Sequence, residues 1–211
     1  MPQPLLQAVN LYCERDSRTL FRDLSFSILP GTLTRVEGPN GSGKTTLLRA
    51  LAGLNDTIEG QLLWCGQDRA LNRESFARNT LYIGHRPGIK PSLSPLENLK
   101  TLAAARQACC ESVLLKALAG TGLAGFELVP CRRLSAGQQR RVALARLLIA
   151  DEPLWILDEI FTAIDAPGVT ALERLLTSRI NEGGSVVITT HHDLQLPGMR
   201  HIRLGEAVND D

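Results

Sequence analysis

The chain carries almost no net charge. Its 211 residues set 23 lysines and arginines against 22 aspartates and glutamates, a formal charge of +1. That balance argues against a polybasic nucleic-acid binder and against an acidic tail. Long apolar runs are missing as well. The longest stretch without a charged residue is 13 positions, Met1 to Cys13, short of the ~20 needed to cross a bilayer. It also lacks the basic start and small-residue cleavage site of a signal peptide. The expectation is a chain that is neither secreted nor membrane-spanning by itself. The five cysteines, Cys13, Cys65, Cys109, Cys110 and Cys131, cannot all pair within one chain, and none stands as C-x-x-C. Structural thiols in a reducing cytosolic compartment are expected. The four histidines, His85, His191, His192 and His201, are too scattered for a zinc site. No internal repeat or low-complexity tract is present.

What remains is an ordinary globular composition, 44% hydrophobic and 21% charged, of a length that suits one domain. Leu5–Leu11, Leu24–Ile28 and Leu33–Glu37 read as strands, the last two separated by Pro30-Gly31. A helix is expected from Thr45 to Ala52, then strands at Gln61–Trp64 and Leu81–Ile83. The middle changes character. Ser94 caps and Pro95 opens a helix running to Arg106, with Glu97 in its first turn. Further helices are expected at Glu111–Ala119 and Ser135–Ile149. From Leu154 the alternation returns: an apolar strand Trp155–Leu157, buried on both faces, a helix Val169–Ile180 and a strand Val186–Thr189. Strand, helix, strand in that order implies a parallel sheet with right-handed crossovers.

Two motifs carry chemistry on their own. Gly38-Pro39-Asn40-Gly41-Ser42-Gly43-Lys44-Thr45, continued by Thr46, fits G-x-x-x-x-G-K-[ST] between an expected strand and an expected helix. Glycines let backbone N–H groups converge on phosphate oxygens, and the helix N-terminus adds partial positive charge. Lys44 supplies a point charge between phosphates, and the Thr45 hydroxyl is placed to ligate Mg²⁺. The second motif is the strand end Asp158-Glu159. Asp158 would reach Mg²⁺ through its water shell, and Glu159 would orient or deprotonate a water in line with the γ-phosphate. The earlier pair Asp151-Glu152 is followed by Pro153 with no apolar strand before it, and reads as a turn.

Leu134-Ser135-Ala136-Gly137-Gln138-Gln139, leading into a helix 23 residues before Asp158, resembles the signature loop of ABC-type ATPases. Phe161-Thr162-Ala163-Ile164-Asp165 resembles the loop after that family's acidic pair, and Thr189-Thr190-His191 its switch histidine. The resemblance implies an α/β P-loop NTPase fold of ABC type: a mainly parallel core sheet, an N-terminal antiparallel β portion and an inserted helical lobe. Residues 1–85 and 146–211 would form the nucleotide-binding core and residues 86–145 the lobe. It further implies ATP hydrolysis with Mg²⁺, and a head-to-tail pair of copies in which the Leu134–Gln138 loop serves the partner's ATP and Asp165 contacts the opposing subunit. His191 would read the γ-phosphate, with His192 as the alternative occupant.

Two positions depart from the family pattern. The glutamine usual where the core passes into the lobe is replaced by Arg86, in Tyr82-Ile83-Gly84-His85-Arg86-Pro87-Gly88. A guanidinium cannot ligate a cation. The adenine-stacking aromatic gives way to Arg15, with Tyr12 as a shifted candidate. The runs Cys13–Phe21, Gly84–Lys90, Leu96–Leu99, Gly122–Phe126 and Leu154–Glu159 together resemble the ATP-binding subunits of cytochrome c maturation transporters, described as haem exporters. That likeness implies a permease partner at the cytoplasmic face of a bacterial inner membrane, and no nucleic acid. A soluble ABC-type mechanochemical ATPase acting on nucleic acid or the ribosome is the alternative.

Overall fold

The structure, a computed structural model, describes residues 3–104, 110–196 and 198–205. The last two positions of the expected helix ending at Arg106, and Cys109, lie outside these.

The chain opens with β1 (Leu6–Arg15) and β2 (Arg18–Ile28). Along β1, Leu6, Ala8, Leu11 and Cys13 are buried. The step of three between Ala8 and Leu11 coincides with a register shift and with Asn10 at φ 50°. An extra residue in the left-handed region is a bulge, and asparagine tolerates that region. The two strands are joined by Asp16 (φ 52°) and Ser17 (φ 60°) between paired Arg15 and Arg18. Two successive positive φ values match the right-handed twist of a hairpin. This turn is Asp-Ser and not Asn-Gly, and β2 begins six residues before the strand expected at Leu24. β3 (Leu33–Glu37) and α1 (Lys44–Leu51) follow. β4 (Glu59–Trp64) turns through Cys65 (φ 49°) and Gly66 (φ 80°) into β5 (Gln67–Asp68). The short α2 (Arg73–Arg78) and then β6 (Thr80–Ile83) complete this portion. The antiparallel sheet has the order β2-β1-β4-β5.

The helical elements are α3 (Pro95–Ala104), α4 (Glu111–Gly120) and α5 (Ala136–Ala145). Ser94 caps α3 as expected. Its hydroxyl accepts from the Glu97 N–H at 3.2 Å, and the Glu97 carboxylate accepts from the Ser94 N–H at 2.7 Å. The Ser94 N–H first, and then its side chain, hold the Glu97 carboxyl below its usual range. α5 is shorter than the sequence suggested: it gives way to a 3₁₀ turn at Arg146–Leu148.

β7 (Leu154–Asp158), α6 (Ala166–Asn181), β8 (Ser185–Thr189) and β9 (Arg200–Arg203) finish the chain. α6 starts three residues before the expected Val169. Ala166-Pro167-Gly168 reads as a breaker, yet proline fits a first helical turn, and the Asp165 carboxylate accepts from the Gly168 N–H at 3.2 Å. The second sheet has the order β6-β7-β8-β3-β9. β7 with β8, β8 with β3 and β3 with β9 are parallel. Every residue of β7 and β8 is buried.

The chain divides into two compact units. One comprises Met1–Tyr82, Glu152–Glu159 and Leu176–Asp211, the other Ile83–Asp151 and Ile160–Leu175. The expected lobe, 86–145, falls within the second, which also takes residues 83–85, 146–151 and 160–175 of the expected core. In the first, an apolar core joins Leu6 and Leu11 of β1, Leu47, Leu48 and Leu51 of α1, Ile156 of β7 and Val187 of β8. Full burial of each α1 leucine contributes roughly 1.5–3 kcal/mol, so the helix after the glycine loop is fixed by its underside. The second unit has its own core, with Leu99, Leu114, Leu118, Leu123 and Val142 at its centre.

Candidate functional site

The parallel sheet delivers its chemistry at the carboxyl ends of adjacent strands, where open α/β sheets bind ligands. β3 runs into the glycine loop. Gly38 (φ 148°), Gly41 (φ 82°) and Gly43 (φ 94°) all have positive φ. Gly38 is the tightest: a Cβ there would stand 2.6 Å from both the Leu204 carbonyl oxygen and Ser42 Oγ. Gly43 precedes α1 in a left-handed conformation and provides no side-chain cap. The first N–H groups of the helix are therefore presented to the loop, as anion binding requires. The Lys44 ammonium curls over the loop, donating to the Gly38 carbonyl at 2.6 Å and the Pro39 carbonyl at 3.0 Å. Pro39, Asn40, Gly41 and Thr45 are exposed, Thr46 is half-buried and Ser42 is buried.

β7 ends in Asp158, only 1% exposed. The carboxylate accepts from the Thr189 hydroxyl at 2.6 Å. Glu159 turns the chain at φ 53°, and its N–H donates to the Thr189 carbonyl at 3.0 Å and the Thr189 hydroxyl at 3.1 Å. Its side chain is mostly buried, with Oε1 3.6 Å from Nε2 of exposed His191. His192 is half-buried, and its N–H donates to the Thr190 hydroxyl at 2.9 Å. Tyr82 of β6 senses the same acid. Burial and then the Asp158 carboxylate push its phenol up to about 12, against a smaller pull from Arg49. The structure thus brings Asp158, Glu159 and His191 to neighbouring strand ends.

Two features here lay beyond the sequence reading. Thr189, expected only as the end of a strand and a neighbour of the histidine, also bonds to the Asp158 carboxylate and the Glu159 N–H. The signal was a hydroxyl closing an otherwise apolar strand beside one that ends in aspartate. The other is β9: the Leu204 N–H donates to the Glu37 carbonyl at 2.8 Å, and Glu37 pairs with His201 at 2.9 Å and Arg35 at 3.4 Å. The strand that enters the glycine loop is braced from this side.

In the second unit, Ser135 caps α5 through a reciprocal pair of bonds. Its hydroxyl accepts from the Gln138 N–H at 3.2 Å, while its own N–H donates to the Gln138 side chain at 2.9 Å. Leu134 is buried, anchoring the turn, and Ala136 and Gly137 form its first helical residues. Gln139 ties the turn down by donating to the carbonyls of Cys131 and Leu134 at 3.0 and 3.1 Å. Asp165 forms an ion pair with Arg141 at 2.9 Å. Arg140, 4% exposed, donates to the carbonyls of Gly84 at 2.8 Å and His85 at 3.1 Å, pinning the stretch before Arg86. An apolar cavity of about 290 Å³ lies beside this ion pair, walled by Leu144, Leu148, Ile164 and Leu172.

The ABC transporter family profile matches residues 21–162. Proteins named cytochrome c biogenesis ATP-binding export protein CcmA align along nearly the whole chain. The relative in Hahella chejuensis is 53% identical over 96% of both chains. That in Pseudomonas fluorescens is 53% identical over 97% of this chain and 98% of its own. The chain belongs to the ABC transporter ATP-binding family. Among solved structures, an ATP-binding subunit of an ABC transporter superposes with a TM-score of 0.80 at 25% identity, over 89% of this chain and 79% of that one. The cassette MJ0796, solved as a dimer in a post-hydrolysis state bound to ADP and Pi, gives 0.82 at 24% identity over 94% of each.

As an ABC ATPase the protein hydrolyses ATP. The two positions that depart from the family pattern are both on the surface. Arg86 is exposed. Arg15 is 74% exposed and pairs with Asp16 at 3.5 Å. Tyr12 has partners at both its hydroxyl and its ring: the hydroxyl donates to Glu14 at 2.7 Å and the Arg22 guanidinium lies 5.7 Å from its ring centroid. No helix among the described residues is long and apolar enough to cross a membrane.

Proposed function

We propose that the protein is the ATP-hydrolysing subunit of an ABC export complex that serves cytochrome c biogenesis, docked on a membrane permease at the cytoplasmic face of a bacterial inner membrane. Full-length likeness at 53% identity to proteins carrying that name supports the assignment. The cargo is haem on this reading, by resemblance. The observation that carries the chemistry is the register of β7 against β8, which sets Asp158 beside Thr189 and turns Glu159 toward His191.

The glycine loop and the first N–H groups of α1 bind the phosphates, and Lys44 moves from the Gly38 and Pro39 carbonyls onto the β- and γ-phosphate oxygens. Glu159 orients and deprotonates the attacking water, and His191 donates to the γ-phosphate. Positioning and charge stabilisation account for most of the acceleration in such transfers. The oxygen donors fit a hard cation: the Thr45 hydroxyl at the helix start and the buried Asp158 carboxylate, with no cluster of three His, Cys, Asp or Glu side chains among the described residues. Mg²⁺, when bound, neutralises charge developing on the phosphates. A second copy closes the site head-to-tail, its Leu134–Gln138 loop facing the γ-phosphate and its Asp165 at the junction. Arg15 or Tyr12 flanks the adenine.

The test is purification from membranes in mild detergent, with the co-purifying chains identified and ATP turnover measured. An integral membrane partner and ATP turnover that Lys44→Ala abolishes are expected. Normal turnover in Lys44→Ala would refute the phosphate assignment, and ribosomes or DNA in place of a membrane protein would refute the transport assignment.

A further inference from the structure

Thr189 closes β8 in the middle of the sheet. It is fully buried, at 0% exposure, and it is the register partner of Asp158. A threonine hydroxyl has one proton to give and lone pairs to receive with, and here both capacities are spent on the site. The proton goes to Asp158 Oδ1 at 2.6 Å. The oxygen takes the Glu159 N–H at 3.1 Å, and the Thr189 carbonyl takes the same N–H at 3.0 Å. Glu159 is in the left-handed region at φ 53°, where a residue with a Cβ is strained unless its surroundings hold it. The shared N–H is what holds it.

The residue after Thr189 extends the arrangement toward the glycine loop. The Thr190 carbonyl accepts from Arg35 at 3.1 Å, and Arg35 pairs with Glu37, the last residue before Gly38. His191 comes next, reaching back to Glu159. A valine at 189 would fill the same space in this buried strand and would supply neither hydroxyl bond, leaving only the backbone carbonyl to take the Glu159 N–H. Packing alone does not account for a hydroxyl at this position.

We propose that Thr189 is a positioning residue for the hydrolytic pair. Its hydroxyl fixes the Asp158 carboxylate and, through the Glu159 N–H, the turn that aims Glu159 at the γ-phosphate. The inference rests on the nucleotide reading given above, and it assigns Thr189 no contact with substrate.

The experiment compares Thr189→Val and Thr189→Ser with the wild-type protein, with Lys44→Ala and Glu159→Gln run in parallel. The readouts are kcat and KM for ATP, affinity for a fluorescent ATP analogue in EDTA, the gain in that affinity on adding Mg²⁺, and the melting temperature. Misplacing a reacting group by a fraction of an ångström to 1 Å costs on the order of 10–100-fold in rate. Thr189→Val is expected to lose about that much kcat while keeping KM and metal-free affinity near wild type, with a melting temperature lowered by a few degrees because a buried carboxylate loses its donor. It should also show a smaller Mg²⁺-dependent gain in affinity, and Thr189→Ser should restore both. A Val variant with wild-type kcat and Mg²⁺ gain overturns the proposal, as does a Ser variant as slow as Val. Should Val fail to fold, Thr189→Ala takes its place, and equal rates in Ala and Ser overturn the proposal. If Lys44→Ala and Glu159→Gln both turn over normally, the nucleotide reading itself falls. If those two are inactive while Thr189→Val is normal, only the role of Thr189 falls.

Discussion

Nε2 of His191 lies 3.6 Å from Oε1 of Glu159 across the ends of two neighbouring strands. The separation is beyond a hydrogen bond, and the imidazole side chain is 72% exposed, so the contact contributes little to folding. On the function proposed above, its value is in catalysis. Glu159→Gln and His191→Ala should each lower ATP turnover by on the order of 10²–10⁴ and leave the melting temperature within a degree or two. Glu159→Gln should in addition accumulate as an ATP-bound pair of copies in size-exclusion chromatography. A His191→Ala protein with unchanged turnover would transfer the phosphate-sensing role to His192.

Gly38 tests the loop without touching its charges. At φ 148° a Cβ would stand 2.6 Å from the Leu204 carbonyl and from Ser42 Oγ. The carbonyl belongs to backbone that is itself bonded to Glu37, so it cannot simply retreat. Gly38→Ala should lose ATP affinity by at least tenfold in equilibrium binding, with a destabilisation of about 1–3 kcal/mol in urea unfolding. Wild-type affinity in that variant would show that the loop can shift without loss.

The parts of the molecule that could be read in the sequence are those whose physics is local. The glycine loop has a fixed spacing, the Ser94 and Ser135 caps sit three residues from Glu97 and Gln138, and the buried strands of the core are continuous apolar runs. What escaped depends on pairing between distant segments. β9 is four residues long with only Ile202 buried, too short to show a period, and exists because β3 offers it an edge. The Asp16-Ser17 turn lacks the glycine that announces a hairpin. Thr189 acquires its role only through its register with Asp158, thirty-one residues away, and Arg140 through carbonyls more than fifty residues back.

Ser135 combines two roles that substitution can separate. As a helix cap it satisfies the Gln138 N–H, and Ser135→Ala should cost about 0.5–2 kcal/mol of stability. Aspartate caps helices as well as serine does, but in the proposed head-to-tail pair it would bring a negative charge toward the γ-phosphate of the partner's ATP. Ser135→Asp should therefore recover the stability lost in Ser135→Ala while remaining slow in steady-state ATP hydrolysis. Recovery of both would mean that the serine acts only as a cap.

Tyr82 offers a readout of the Asp158 environment at alkaline pH. Burial, and secondly the Asp158 carboxylate, raise the phenol from the ordinary 10.0 to about 12. The folded protein therefore holds this proton more tightly than the unfolded chain. Below pH ~10 both states are protonated and the phenol adds nothing to the pH dependence; between ~10 and ~12 the unfolded chain loses the proton first, and stability falls as pH rises. Urea unfolding at pH 9 and pH 11 should show a larger loss in the wild-type protein than in Tyr82→Phe. Asp158→Asn removes one cause of the raised value and should shrink that difference without abolishing it, because burial is the larger cause. The chain has two tyrosines, so in Tyr12→Phe a spectrophotometric titration follows Tyr82 alone. Ionisation there with a midpoint near 10 in the folded protein would mean that neither burial nor the Asp158 carboxylate raises the phenol.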